Sequence, residues 1–349
     1  MNLEFIEALE EIEEEKGISK DVIFDALESA LISSYKKNFG SSQNVEVEID
    51  RLTGRVSVFA KKSVVEEVEN ELFEIDLNEA KAIDDRYQIE DIVNIEITPK
   101  NFGRIAAQTA KQVVIQRIKD AERDVIYDEF INRENEIITG MVQRINKNHV
   151  YIDLGKTEGV LPPAEQIEGE VYEQGDRIKL YILEVKKTTK GPQIILSRSH
   201  PGLVKRLFEL EVPEIQEGVV DIYAISREAG SRTKVAVYSK DENVDPVGAC
   251  VGSKGARVKA LVEELNGEKI DIIIWSKNPE TFIANSLSPS KVISVETNER
   301  EKSAVVVVPD YQLSLAIGKE GQNARLAAKL TNWKIDIKPE SEYNEGNLS

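Results

Sequence analysis

The chain has 349 residues, 41% of them hydrophobic, which is enough for several small domains with packed cores. Its net charge of −18 at pH 7 disfavours nonspecific binding to duplex DNA, and the acidic excess is concentrated in the N-terminal third. One cysteine excludes a disulfide framework, and two histidines form no cluster at metal-ligand spacing, so we expect no metal and no cofactor. The sequence shows neither an apolar leader nor an apolar run of about 18 residues, so we expect a cytoplasmic chain, neither secreted nor membrane-spanning.

Residues 1–132 are predicted to form an acidic α/β head. Apolar residues three and four apart predict two helices over residues 1–39. Alternating or apolar segments predict strands at residues 45–50, 55–60, 64–70 and 89–97, with a short helix at 78–82. A long helix from Arg104 to Ile131 is expected to leave the head as a rigid connector. The charge favours a protein or basic partner over RNA, and a merely solvated acidic surface is the alternative.

Residues 133–199 predict a five-stranded OB-type barrel. Alternation over residues 149–155 directs His149 and Tyr151 outward, where aromatic side chains on such barrels stack on bases. These two are the candidate stacking residues, and ordinary exposed strand positions are the alternative. The glycine spacing resembles that of the S1 RNA-binding domain, with glycines at positions 140, 155, 159 and 175.

Residues 200–277 and 278–340 predict two copies of one unit. Each copy contains a Gly-x-x-Gly loop between two helix-like runs, Gly252-Ser253-Lys254-Gly255 in the first and Gly318-Lys319-Glu320-Gly321 in the second. A helix and a strand pair precede each loop, and an apolar strand follows the second helix-like run. The same order recurring about 66 residues apart indicates a tandem repeat.

This pattern is typical of the KH module, whose loop clamps about four nucleotides of single-stranded RNA. Glycine allows positive φ and close approach of a phosphate, and the following helix directs free N–H groups at it. Glu320 is expected to point away from RNA. Gln322 and Asn323 have donors and acceptors suited to base edges, with helix capping as the alternative. The RNA-binding candidates are the eight loop residues, the barrel pair, and the residues Arg257, Lys259, Gln322, Asn323 and Arg325.

The whole is predicted to be a multidomain α+β protein: an α/β N-terminal head with a long connector helix, an S1 barrel of OB type, and two tandem KH domains of the prokaryotic α/β type. The short linker at residues 275–279 predicts that the KH units pack together as a rigid platform, continuous with the barrel. Residues 341–349 are predicted to be a disordered tail. Nothing demands more than a monomer. The stretch from Gly248 to Lys254 departs from phosphate-loop spacing, and no other catalytic motif is present, so we expect no enzyme.

An acidic head followed by a barrel and two KH units resembles the NusA family of bacterial transcription elongation and termination factors. The stretches that carry the resemblance are Phe102 to Gln112, Gly140 to Val142, Ser197 to Ser199, Asp245 to Gly252 and Ala316 to Ala327. The similarity covers about residues 1–338.

The resemblance implies that the head docks on RNA polymerase at the flap of the β subunit. It implies that the barrel and KH units take up nascent single-stranded RNA and modulate pausing, intrinsic termination and antitermination. Other Nus factors are implied as partners, and Lys37, Arg104 and Lys111 as polymerase or hairpin contacts, with solvated helix charges as the alternative. A polymerase-independent S1/KH adaptor of an RNA-processing or degradation complex is the other functional hypothesis; such an adaptor has no need of the head.

Overall fold

The computed structural model describes residues 3–39 and 44–346. These residues form two compact units, which divide between Val125 and Ile126. In the described part of the chain, no helix has both the length and the apolar character needed to cross a membrane.

The first unit packs two helices and the start of a third against a small sheet. Helix α2 buries one stripe of its surface, including Ile23, Leu27 and Leu31, against Phe102 and Ala106 of α4. Strand β2 pairs antiparallel with β1 and β4 and parallel with β3. The elements are α1 (Leu3–Lys16), α2 (Lys20–Phe39), β1 (Val45–Ile49), β2 (Val56–Val65), β3 (Glu74–Asp76), α3 (Leu77–Ile83), β4 (Ile92–Glu96) and α4 (Phe102–Ile131).

The predicted strand at residues 64–70 is corrected by the structure. Strand β2 ends at Val65, and the acidic residues beyond it form a turn. The backbone N–H groups of Glu69 and Asn70 donate to the Glu74 carboxylate at 2.8 and 2.9 Å, and the Glu74 N–H returns to the Asn70 carbonyl. These local hydrogen bonds form a turn where the valines at 64, 65 and 68 predicted a strand.

The second unit begins with the end of α4, which the prediction had placed in the head, and continues with the predicted closed barrel. The barrel strands are β5 (Ile137–Asn146), β6 (His149–Asp153), β7 (Glu158–Leu161), β8 (Arg177–Thr188) and β9 (Gly191–Ser197), in the order β5-β6-β7-β9-β8. Inward-facing residues such as Val150 and Ile152 fill its core, and Phe130 of α4 packs with them.

Two copies of one αββααβ unit follow, which confirms the predicted repeat. In each sheet the first two strands are antiparallel and the third is parallel to the second. The first KH unit contains α5 (Pro201–Glu211), α6 (Pro213–Gln216), β10 (Val220–Glu228), β11 (Arg232–Ser239), α7 (Pro246–Val251), α8 (Ala256–Glu264) and β12 (Lys269–Ile274). The second contains α9 (Pro279–Ser286), β13 (Ser294–Asn298), β14 (Ser303–Val308), α10 (Leu313–Ile317), α11 (Gln322–Thr331), β15 (Lys334–Pro339) and α12 (Glu340–Gly346).

The two KH units pack against each other, as the short linker predicts. Ala236 and Ile273 of the first sheet meet Phe282 and Leu330 of the second unit in a buried cluster. At the border of this cluster, the buried Lys234 ammonium donates to the Ser288 carbonyl at 2.8 Å.

The start of the predicted disordered tail is also corrected, because α12 continues from β15. The Ser341 N–H donates to Asp310 Oδ1 at 3.1 Å. Glu340 and Glu342 lie in the first turn of α12, where negative charge favours the helix dipole. Residues 347–349 lie outside the described residues.

Candidate nucleic-acid interface

The two Gly-x-x-Gly loops have the same backbone conformation. Each contains three residues of positive φ, of which the first is separated by one residue from the other two, and corresponding φ and ψ angles agree within 6°. The φ and ψ values are 71° and 174° for Gly252, 77° and 171° for Gly318, 53° and 24° for Lys254, 54° and 27° for Glu320, 77° and 18° for Gly255, and 74° and 14° for Gly321. The structure therefore repeats the loop as well as the fold.

The first glycine of each loop also lies too close to the next helix for a side chain. A Cβ at Gly252 would lie 2.8 Å from Cγ of Arg257, and one at Gly318 would lie 2.8 Å from the backbone nitrogen of Asn323. Both requirements, positive φ and close packing, select glycine at this position.

The middle of each loop faces solvent. Ser253 and Lys254 are exposed in the first loop, and so are Lys319 and Glu320 in the second, so Glu320 does not point into the protein. Helices α8 and α11 begin directly after the loops, and the residues before them are glycines, which have no side chain to cap the first N–H groups. Each loop thus combines an exposed lysine with the anion-attracting start of a helix.

Lys259, one turn into α8, is exposed, whereas both predicted arginine contacts are engaged with carboxylates of the protein. Arg257 donates to the Ala249 carbonyl at 2.5 Å and to Glu214 at 2.8 Å. Arg325 donates through Nε and Nη2 to Glu228 of the first KH unit, at 2.6 and 3.1 Å. These guanidinium groups are therefore paired within the protein.

Gln322 also binds the Glu228 carboxylate. Its Nε2 donates to Glu228 at 2.9 Å and to the Ser231 hydroxyl at 2.7 Å, which ties the first turn of α11 to the β10–β11 turn. The Glu228 carboxylate has a lowered pKa, first because of the hydrogen bond from Arg325 and, to a smaller extent, that from Gln322, which together outweigh partial burial.

The structure contradicts both predicted roles of Asn323, base reading and helix capping. Its side chain is 4% exposed, and Nδ2 donates to the carbonyl groups of Leu287 and Ala316, each at 3.0 Å. The amide therefore joins the ends of α9 and α10 inside the second KH unit. It neither faces RNA nor caps α11, whose N-cap is Gly321.

His149 and Tyr151 lie two residues apart on β6 and are half-buried on the same face of the barrel. The Arg144 guanidinium carbon lies 4.0 Å from the centre of the Tyr151 ring, and Arg144 also pairs with Glu158. One face of Tyr151 is thus already covered by a cation, while the Nδ1 of His149 lies 3.1 Å from the Lys147 carbonyl.

In the first unit, Lys37 lies in the last turn of α2, and Arg104 and Lys111 lie two turns apart on α4. All three side chains are exposed. The hydroxyl groups of Ser34 and Thr109 lie 3.2 Å apart, so α2 and α4, which carry the three cations, are in contact with each other.

The sequence pattern did not identify Glu214 or Glu228, the carboxylates that hold the arginines. Glu228 is 97 residues from Arg325 in the chain and belongs to the other KH unit. Among residues 3–39 and 44–346, no group of three or more His, Cys, Asp or Glu side chains is arranged to hold a metal ion.

Four family models match consecutive parts of the chain. The NusA N-terminal domain matches residues 4–124, the S1 RNA binding domain matches residues 132–199, and the NusA-like first and second KH domains match residues 198–275 and 279–345.

Individual relatives extend the likeness over nearly the whole chain. The transcription termination/antitermination protein NusA of Halalkalibacterium halodurans is 61% identical over 345 residues, covering 99% of this chain and 90% of that protein. The protein of the same name from Bacillus subtilis is 59% identical over 345 residues, which are 99% of this chain and 93% of that protein. The solution structure of the N-terminal domain of NusA from B. subtilis is 55% identical over 35% of this chain and 99% of that one, with a TM-score of 0.33. With this identity over almost its full length, the chain belongs to the NusA family of transcription termination/antitermination proteins.

Proposed function

We propose that this protein is an elongation factor that binds bacterial RNA polymerase through its head and nascent single-stranded RNA through the barrel and both KH units. In this role it modulates pausing, intrinsic termination and antitermination. It acts in the cytoplasm as a monomer, without catalysing a reaction, and other Nus factors join it on the polymerase.

The identical backbone of the two loops is the observation that carries the RNA-binding part. A loop that presents an exposed lysine and uncapped N–H groups fits a phosphate group, and two such loops in one compact unit fit a continuous strand. Lys254 and Lys319 supply the charge, and the glycines give the phosphate its approach. His149 and Tyr151 add a stacking surface on the barrel, where Tyr151 offers the ring face that Arg144 leaves open.

The head carries the polymerase-binding part of the proposal. Its match to the NusA N-terminal domain supports docking at the flap of the β subunit. Lys37, Arg104 and Lys111 are exposed cations on a predominantly acidic unit, and they fit RNA hairpin phosphates or an acidic polymerase surface.

Two binding measurements on the full chain test the proposal. The Ser253→Asp/Lys254→Asp/Lys319→Asp variant places carboxylates in both loops and is expected to lose at least tenfold in affinity for single-stranded RNA while still capturing core polymerase. The Lys37→Glu/Arg104→Glu/Lys111→Glu variant is expected to weaken polymerase capture and to keep its RNA affinity. Capture of a ribonuclease in place of polymerase by the wild-type chain would favour the RNA-processing adaptor.

A further inference from the structure

The contact between Glu228 and α11 lies directly beside the second Gly-x-x-Gly loop. Glu228 is the last residue of β10, and its carboxylate receives three hydrogen bonds from Gln322 and Arg325, in the first turn of α11. Arg325 also donates through Nη1 to the carbonyl of Glu320, within the loop itself, at 3.0 Å. The chain from Glu228 through Arg325 to Glu320 therefore connects the first KH unit to the loop of the second.

The remaining contacts between the KH units lie elsewhere. The apolar cluster of Ala236, Ile273, Phe282 and Leu330 fixes how the second unit lies on the first sheet, and the Asn285 amide donates to the Ile274 carbonyl at 3.0 Å. Among these described contacts, those of Glu228 hold the start of α11, together with the hydrogen bond from Gln322 to the Ser231 hydroxyl at 2.7 Å. A bidentate pair of arginine and carboxylate also fixes direction as well as distance.

We propose that Glu228 is a positioning residue that sets the register between the two RNA-binding loops, and that Arg325 and Gln322 act through it instead of contacting RNA. This inference rests on the proposed RNA binding. Because the loops are held at a fixed separation, an RNA long enough to reach both gains affinity through effective concentration. A short RNA that occupies one loop gains nothing from the register.

Glu228 also determines the charge available beside the second loop. While the carboxylate is paired with Arg325, that guanidinium contributes no free cation to RNA phosphates. The second loop then attracts RNA through Lys319 and the N–H groups of the loop. The charge of Arg325 is paired with Glu228 of the first KH unit.

The test is an RNA-length series with the full chain, from about 4 nucleotides, which one loop clamps, to a length at which affinity no longer rises. In wild type, affinity should rise from the shortest to the longest RNA, and Glu228→Gln is expected to lower this gain in affinity by about fivefold or more. A loss of that size lies within the range of coupling energies for contacting residues. The affinity of Glu228→Gln for the shortest RNA is expected to equal that of wild type or to rise by up to about twofold, because the substitution leaves the Arg325 charge beside the second loop unpaired. Arg325→Gln is expected to lower the length-dependent gain in affinity in the same direction as Glu228→Gln, because it removes the Arg325–Glu228 ion pair, and the double variant is expected to lose less than the sum of the two single effects. Glu299→Gln, which changes an exposed carboxylate in the β13–β14 turn, is the control and is expected to keep the full gain.

A direct RNA contact by Arg325 gives a different result. In a Ser253→Asp/Lys254→Asp background, in which the second loop is the remaining intact KH loop, Arg325→Gln would then weaken RNA binding and reduce the salt slope by about 0.7. That outcome overturns the inference. So does a Glu228→Gln variant whose affinity rises with RNA length as much as that of wild type. Equal weakening for short and long RNA, the signature of a damaged fold, also overturns it. If the wild-type chain binds none of these RNAs, the proposed function itself fails and the inference fails with it.

Discussion

Arg198 and Glu170 form an ion pair that is almost completely buried, with side chains 1% and 3% exposed. Arg198 follows the last barrel strand and also donates to the Glu264 carbonyl in the first KH unit at 3.1 Å. Asn266 of the same KH unit donates to the Glu170 carboxylate. The pair therefore belongs to the barrel and the KH unit at once, and it makes the two continuous.

Loss of this pair should destabilise the second unit strongly. Glu170→Ala leaves the buried Arg198 charge with only the more distant, partly exposed Glu264 carboxylate at 3.7 Å, which should cost about 3 kcal/mol of unfolding free energy. Guanidinium unfolding followed by tryptophan fluorescence measures it, because both tryptophans, Trp275 and Trp333, lie in the KH part of the chain. The control Glu173→Ala removes an exposed carboxylate of the same segment and should change the free energy by less than about 0.5 kcal/mol. Equal effects of the two substitutions would contradict a role for the buried pair.

The two glycines of the second loop should differ in their tolerance of alanine. Gly321 has an ordinary left-handed conformation, and an added Cβ would meet no atom closer than Nη1 of Arg325 at 3.9 Å, so Gly321→Ala should cost roughly 1–2 kcal/mol. Gly318 has the backbone conformation reserved for glycine and a neighbouring backbone nitrogen 2.8 Å from the added Cβ, so Gly318→Ala should cost about 3 kcal/mol or more. Thermal unfolding of both variants checks the order. A smaller loss for Gly318→Ala would mean that the loop backbone is not as described.

Asn323 is predicted to act on stability and not on base choice. Asn323→Asp removes the donors to two carbonyl groups and buries a carboxylate beside them, so we expect a loss of about 3 kcal/mol or more. The control Asn298→Asp changes an exposed amide whose oxygen accepts from the Arg300 N–H, a role that aspartate keeps. Unfolding and RNA-selection measurements on both variants separate the roles. An unchanged stability with an altered base preference would restore Asn323 as a reader of RNA.

Cys250 is predicted to be inert while the protein is folded. Its side chain is fully buried, and burial raises the pKa of the thiol to about 12. Since alkylation requires the thiolate, iodoacetamide at pH 8 should label the folded chain about a thousandfold more slowly than the unfolded chain. The raised pKa favours folding below the ordinary thiol pKa, and this contribution declines as pH rises above it. Labelling of the native chain at the rate of the unfolded one would contradict the burial.

Local patterns in the sequence predicted the elements that depend on local physics. Alternating residues in β6 and the glycines of both loops act within a few residues, so the barrel and the KH repeat could be identified before the structure. The wrong prediction at residues 64–70 has a local cause as well, because the Glu74 carboxylate accepts hydrogen bonds from the N–H groups of Glu69 and Asn70 and so stabilises a turn.

The pairing of charges could not be predicted in the same way. Arg325 follows a phosphate-binding loop and carries the appropriate charge, which made it an RNA candidate. Its partner Glu228 comes from another domain, and the contact exists only because the apolar cluster brings the two KH units together. The positions of the loops could thus be predicted from the sequence. Which of the nearby cations pair with carboxylates and which remain exposed could be seen only in the tertiary structure.

A pause-duration assay with bacterial core polymerase on a hairpin-pause template tests the division of labour most directly. The wild-type chain should lengthen the pause, and the Ser253→Asp/Lys254→Asp/Lys319→Asp variant should do so at saturating concentration despite its lost RNA affinity. The Lys37→Glu/Arg104→Glu/Lys111→Glu variant should bind RNA normally and leave the pause short. A wild-type chain that binds RNA tightly without changing the pause would contradict the elongation-factor role.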